Sequence, residues 1–223
     1  YDHYYQAEQR GWVLYLEGST DLAILQSFAK TLGHRAQACL ERPFVHYVLN
    51  QPNRAAEHFC ALREAKPDLV GIAVFDNLGK GFPEHPRSLE MRQWSRREIE
   101  NYLCMDEVLM AYTRQGLSDT DMIGYSLIPQ REKAMRESTN EVMMALETLH
   151  GVNRDSPSVK ITDDFLNPVF RKYFEKIKLP NLLTKSGYHI LASLAPRDKI
   201  HLDVVEMLDA IYSVSSQAQS PEM

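Results

Sequence analysis

The chain has 223 residues, 44% hydrophobic and 25% charged, with a formal net charge of −5. No run approaches the roughly 18 apolar residues of a membrane span, and the three cysteines, Cys39, Cys60 and Cys104, are too widely spaced for a disulfide framework or a zinc knuckle. An acidic balance also argues against binding nucleic acid by bulk charge alone, although carboxylates that collect divalent ions restore positive potential locally.

The cysteine usage suits a reducing cytoplasm. The opening residues, YDHYYQAEQR, lack the apolar core of a signal peptide. They also lack an initiator Met, so the chain is expected to be a domain cut from a longer protein.

The first hundred residues read as α/β. GWVLYLEG (11–18) is a short apolar strand. STDLAILQSFAKTLG (19–33) is a helix with a Ser N-cap, apolar residues at Leu22, Leu25, Phe28, Ala29 and Leu32, and a terminal Gly33. Phe44 to Leu49 reads as a second strand. NRAAEHFCALREAKP (53–67) reads as a helix stopped by Pro67, and DLVGIAVFD (68–76) as a third strand. Strands alternating with helices imply parallel βαβ units.

EMRQWSRREIENYL (90–103) alternates at first and then reads as helix. From Met105 to about Gln217 nearly every signal is helical: MDEVLMAYTRQG, PQREKAMRESTNEVMMALETLHG, TDDFLNPVFRKYFEKIK and HLDVVEMLDAIYSV. The Met-rich EVMMALETL reads as core rather than a cofactor box. SSQAQSPEM is a polar tail. The expected division is an α/β core over 1–104 and a helical domain over 105–223, with the segment around 184–190 returning to the core.

Two of the strands end in acids. VLYLEGSTD gives Glu17, and then Asp21 in the first turn of the next helix; GIAVFD gives Asp76. In a parallel sheet, ligands gather at the carboxyl ends of strands. If the first and third strands are neighbours, Glu17 and Asp76 sit side by side. Like charges at that range need a cation between them, and hard oxygen donors suit Mg²⁺ or Mn²⁺. The plainer reading of Asp21 is an acid placed on the helix dipole.

RREIENYL supplies a further cluster, Glu98 and Glu100 behind Arg96 and Arg97. In an extended segment both glutamates face one way; in a helix they do not, and the run becomes a solvated helix start. Seven of the eight histidines, His34, His46, His58, His85, His150, His189 and His201, are scattered at no metal-ligand spacing. No imidazole site is therefore expected, and His46 and His58 read as packing or surface residues. No Ser–His–Asp or Cys–His pattern can be read.

EGxxD after an apolar strand, an Asp-ended strand some fifty residues on and then REIENY together resemble the Toprim domain of the OLD (overcoming lysogenisation defect) nucleases. FVHYVLNQPN, KPDLVGIAVFD and WSRREIENYL look most like that family's second class. The resemblance runs from about Trp12 to Leu103, and more weakly through TKSGYHILASLA (184–195).

It implies a Toprim, Rossmann-like parallel-sheet core with helices on both faces plus a mainly α-helical additional domain. It also implies a metal-dependent DNA endonuclease attached to an N-terminal ABC-type ATPase, with a homodimer formed through that ATPase. No GxxxxGK[ST] occurs in this chain.

On this resemblance, two Mg²⁺ or Mn²⁺ ions, with Ca²⁺ as an inert or supporting substitute, activate water and neutralise phosphate charge. Glu17, Asp21 and Asp76 hold one ion; Glu98 and Glu100 hold or share the other. Glu17 is also the proton acceptor. LTKSGYH matches the family's C-terminal lysine stretch, which nominates Lys185 to face the developing phosphorane charge; the alternative is a surface lysine. Arg96 and Arg97 would contact DNA phosphates or pair with local glutamates.

Toprim domains usually carry DxD where this chain has Asp76–Asn77–Leu78, so a backbone carbonyl at Leu78 or a water has to fill the second position. The glycines of FDNLGKG are wrongly spaced for a phosphate loop, and no helix start follows them. The alternatives to a nuclease are another Toprim activity, topoisomerase- or primase-like, or a nucleic-acid-binding module that has lost catalysis. None of the 11 tyrosines sits in a motif that nominates a nucleophile. Phage defence and DNA repair are the roles the resemblance suggests.

Overall fold

The structure is a computed structural model and describes residues 2–118, 120 and 122–218. Along the chain the elements are α1 (Asp2–Arg10), β1 (Trp12–Leu16), α2 (Ser19–Leu32), α3 (Gln37–Glu41), β2 (Val45–Tyr47), α4 (Pro52–Ala65), β3 (Val70–Phe75) and β4 (Leu89–Gln93). A 3₁₀ turn (Ile99–Leu103) and the helices α5 (Asp106–Thr113), α6 (Met122–His150), α7 (Asn167–Lys176), α8 (His189–Ser193) and α9 (Leu202–Ser215) follow. Residues 219–223 of the polar tail lie outside the described residues.

The chain forms two compact units. One comprises residues 1–95 together with 201–223, and the other residues 96–200. The sequence places the boundary near 104 and gives α9 to the helical part. In the structure α9 packs on β1, β3 and α2. An apolar helix face states that something must cover it, not which element does.

In the first unit the sheet order is β2-β1-β3-β4, with every pair parallel. The inner strands β1 and β3 are almost wholly buried, which is why WVLYL and VGIAVF read as continuous apolar runs instead of alternating. Successive side chains take opposite faces. Val13, Tyr15, Ala73 and Phe75 pack with Ala7 of α1 and with Ala55, Phe59 and Leu62 of α4. Leu14, Leu16, Ile72 and Val74 therefore face α2 and α9, where Ile24, Leu25, Phe28, Val204, Leu208 and Ile211 are buried. Each large apolar side chain removed from water contributes about 1.5–3 kcal/mol.

Gly71 lets α4 lie close on the sheet: a Cβ there would meet the Phe59 ring at 2.9 Å. α4 begins with Pro52 in its first turn and ends at Ala65, ahead of the predicted stop at Pro67. α2 ends as expected at Gly33, a left-handed residue at φ 60° whose amide returns to Ala29 and Lys30. The start of α2 differs by one residue. Gly18 is the cap and Ser19 already helical, because the Asp21 carboxylate reaches back to accept the Gly18 amide at 2.9 Å.

The second unit is helical. α6 packs on α5 and α7, and Pro129 inside α6 leaves one helical turn without its backbone bond. Phe165, Phe170, Tyr173, Tyr188 and Leu191 form the aromatic-rich core, with Tyr112 edge-on to Phe170 at 5.1 Å. The Met-rich stretch is core only in part. Val142 and Leu146 are buried, while Met144 is 68% exposed. TDDFL opens its helix as a π turn, Thr162–Leu166, before α7 proper.

Candidate metal centre

The sheet order puts β2 and β3 on opposite sides of β1, so the chain reverses direction across the sheet at β1. Crevices at such reversals, beyond the carboxyl ends of the strands, are where open α/β sheets bind ligands. Tyr15 pairs with Ala73, so Glu17 and Asp76 leave adjacent strands at nearly the same height. Asp21 enters from the first turn of α2. One carboxylate oxygen from each of Glu17, Asp21 and Asp76 lies within 4.8 Å of the others.

Neighbouring backbone fixes these acids. Asp21, 8% exposed, caps its own helix through Gly18 and sits where the helix dipole favours an anion. The dipole role and a role at the centre are therefore compatible, since a carboxylate has about four acceptor sites. Asp76 is gripped by Asn50: the Asn50 Nδ2 donates to Asp76 Oδ2 at 3.0 Å, and the Asp76 amide donates to Asn50 Oδ1 at 2.9 Å.

Asn50 reaches this position through an unusual turn. Leu49 and Asn50 both adopt left-handed backbone, φ 49° and 55°, immediately after β2. The Leu49 amide also bonds the Glu17 carbonyl at 3.4 Å. Two consecutive non-glycine residues there store strain of the kind found at functional sites. Tyr47 completes the surroundings. Burial, with the Asp21 charge as a second cause, raises its hydroxyl above the usual tyrosine range.

The stretch after Asp76 is an ordinary turn. The Asn77 side chain accepts the Gly79 amide at 3.0 Å and donates to the Ser95 carbonyl at 3.0 Å. Gly79 sits at φ +64°, where glycine is favoured. The Leu78 amide donates to Gln93 Oε1 at 2.9 Å, and its side chain packs with Phe82 against the α1–α4 face of the core. Leu78 is thus held as a hydrophobic residue.

The other sequence candidates lie in the helical unit. The alternation reading of RREIENYL does not hold: Glu98 is extended, but Glu100 falls inside the 3₁₀ turn. Both are 2% exposed, so the solvated-run alternative fails as well. Glu98 Oε1 accepts the Thr162 amide at 2.6 Å, and the Glu98 amide donates to Asn101 Oδ1 at 2.9 Å. Lys185 Nζ stands 3.4 Å from Glu100 Oε1. Burial first, then the charges of Glu100, Asp163 and Glu98, push the Tyr188 hydroxyl up. The Arg96 guanidinium lies over the Tyr102 ring at 5.7 Å, and Arg97 is exposed.

The donor set at Glu17, Asp21 and Asp76 is all carboxylate, which fits a hard divalent ion that keeps waters in its remaining positions. Burial pushes the Cys104 thiol up to about 12 and raises Cys39 as well, which disfavours both as thiolates; Cys60 is exposed on α4. Asn50, Tyr47 and Gln93 are the residues that sequence reasoning missed. For Asn50 the signal is the turn-forming LNQP (49–52), which reports a bend and not what the bend supports; Tyr47 and Gln93 carry none.

No family model matches the chain, and no curated protein or solved structure matches it either. The case for any function therefore rests on the geometry and on the motif resemblance. No helix among the described residues is long and apolar enough to cross a membrane.

Proposed function

We propose that the α/β unit is a Toprim-like centre that cleaves or nicks DNA phosphodiester bonds with Mg²⁺ or Mn²⁺. On this reading the chain is the catalytic region of a larger, cytoplasmic ATPase–nuclease of OLD type. The observation that carries it is the gathering of Glu17, Asp21 and Asp76 within 4.8 Å at the reversal of the sheet.

In this reading those three acids hold the first ion. The resemblance gives a second ion to Glu98 and Glu100, of which Glu98 accepts the Thr162 amide and Glu100 faces Lys185. The bound ions supply an activated water and neutralise phosphate charge. Glu17 accepts the water's proton. Asn50 fixes the Asp76 carboxylate, so that no reorganisation is needed when charge develops. The carbonyl of Leu78, or a water, takes the place of the second acid. Lys185 faces the phosphate oxygens, and Arg96 and Arg97 follow the DNA backbone.

The test is cleavage of supercoiled plasmid by the purified chain with Mn²⁺ or Mg²⁺, abolished by EDTA. The assignment fails if Glu17→Ala and Asp76→Ala cut as well as the parent. Leu78 favours a second reading, a Toprim-type nucleic-acid-binding module without catalysis, because a core-packed leucine stands where the fold's second acid belongs. That reading expects DNA retention on a filter with no nicking under any divalent ion.

A further inference from the structure

Three histidines that the sequence scatters meet in the folded α/β unit. His3 comes from α1, His46 from β2 and His58 from α4. One ring nitrogen of each lies within 4.8 Å of the others. His3 Nδ1 is 3.0 Å from His58 Nε2, and the His46 and His58 rings stack at 3.9 Å. His58 Nδ1 is 2.9 Å from the Tyr15 hydroxyl, and Tyr15 is fully buried in β1. The expectation that no imidazole site exists is corrected here: His3, His46 and His58 converge across 55 residues of sequence because α1 and α4 cover the same face of the sheet.

We infer that His3, His46 and His58 form a binding site for a borderline divalent transition metal, with Zn²⁺ as the reference ion, that fastens α1 to the sheet and α4. Imidazole nitrogen selects such ions over Mg²⁺ or Mn²⁺, so this site and the carboxylate centre sort different metals on one unit.

Several features fit. Two ligand nitrogens on a tetrahedral Zn²⁺, each about 2.0–2.1 Å from the ion, stand roughly 3.3 Å apart, close to the 3.0 Å between His3 and His58. A metal takes its imidazole ligands as neutral rings, and His46 and His58 are only partly exposed.

Tyr15 supplies the outer partner that ligating histidines ordinarily have. With its proton on Nδ1, His58 donates to the Tyr15 hydroxyl oxygen 2.9 Å away and leaves the Nε2 lone pair for the ion. His3 is exposed and leaves the fourth position open to water. One adjustment is needed. Lone pairs of stacked rings lie in parallel planes, so the half-buried His46 ring has to turn out of its stack as the ion enters.

The experiment is Zn²⁺ titration of the chain against a chromophoric chelator, with Mg²⁺ in excess to occupy the carboxylates. Co²⁺ absorption serves as a second probe of the ligand set. One equivalent of Zn²⁺ is expected. Affinity should fall roughly tenfold or more in His3→Ala and His46→Ala, fall about tenfold in Tyr15→Phe, and hold in Asp76→Asn. Zn²⁺ should also raise the melting temperature of the parent but not of His3→Ala, a surface change that leaves the core packed.

The inference is overturned if no stoichiometric Zn²⁺ binds. It is equally overturned if His3→Ala binds as the parent does, or if Asp76→Asn alone removes the equivalent. None of these outcomes bears on plasmid cleavage, so this site and the nuclease reading stand or fall separately.

Discussion

The acids of the α/β unit and those of the helical unit are held in different ways. Glu17, Asp21 and Asp76 converge on one another, anchored from behind by a backbone amide and by the Asn50 side chain. Glu98 is spent on the Thr162 amide, and Glu100 faces Lys185. In the first case negative charge is concentrated at a strand end, where a cation relieves it. In the second it is distributed among protein partners. The same residue type thus gathers with its own kind in one unit and is matched to protein partners in the other, and burial alone does not separate the two.

The contrast can be broken at its strongest point. Asp76→Asn should abolish metal-dependent plasmid cleavage, and Asn50→Ala should lower it about 10–100-fold, the usual cost of losing an outer partner of a metal ligand. Both are read in a nicking assay at saturating Mg²⁺. If Asn50→Ala cuts normally, the strained turn is not part of the centre.

On stability the order should reverse. Glu98→Ala leaves the buried Thr162 amide without its acceptor and should cost about 1–3 kcal/mol in urea denaturation. Glu17→Gln, which relieves like-charge crowding, should cost nothing or stabilise the metal-free protein. An equal cost for both would erase the distinction between the clusters.

A pH titration sharpens the picture in the α/β unit. The folded His58 lies at about 4 against an ordinary 6.5 because burial penalises its charged form. The folded state then binds fewer protons than the unfolded chain between those values. Stability from this group is complete above about 6.5 and drains away as pH falls towards 4. Melting temperature should drop over that window in metal-free protein, and His58→Asn should flatten the drop. The smallest effect is at Gly79: Gly79→Ala at φ +64° should cost about 1 kcal/mol without changing metal affinity.

Much of the α/β unit was legible because its signals are local. The runs WVLYL and VGIAVF, the Gly33 cap and the Asp-ended strand each declare themselves within a few residues. The pairing of β1 with β3, on which the acid cluster depends, was a conditional reading that the register satisfies. What escaped notice is non-local. Asn50 matters only because two left-handed residues swing it across to Asp76, and three histidines meet only once α1 and α4 have docked. RREIENYL misled for a local reason. Glu98 is extended and Glu100 helical within three residues, so neither period applies.

The return of α9 to the sheet has a further consequence. Ser95, the last residue of the α/β unit before the helical one, hydrogen-bonds through its hydroxyl to Asp203, in the first turn of α9. The polypeptide therefore leaves and re-enters this unit through a single doorway, with residues 96–200 strung between its two posts. A chain with that layout is a cassette and its frame. The frame's sheet, both covering helical layers, the carboxylate trio and the histidine trio are all encoded outside the cassette. Splicing 95 to 201 with a short flexible linker should leave a soluble, cooperatively melting protein that still takes up Zn²⁺, because insertions joined at adjacent ends are the ones a domain tolerates losing.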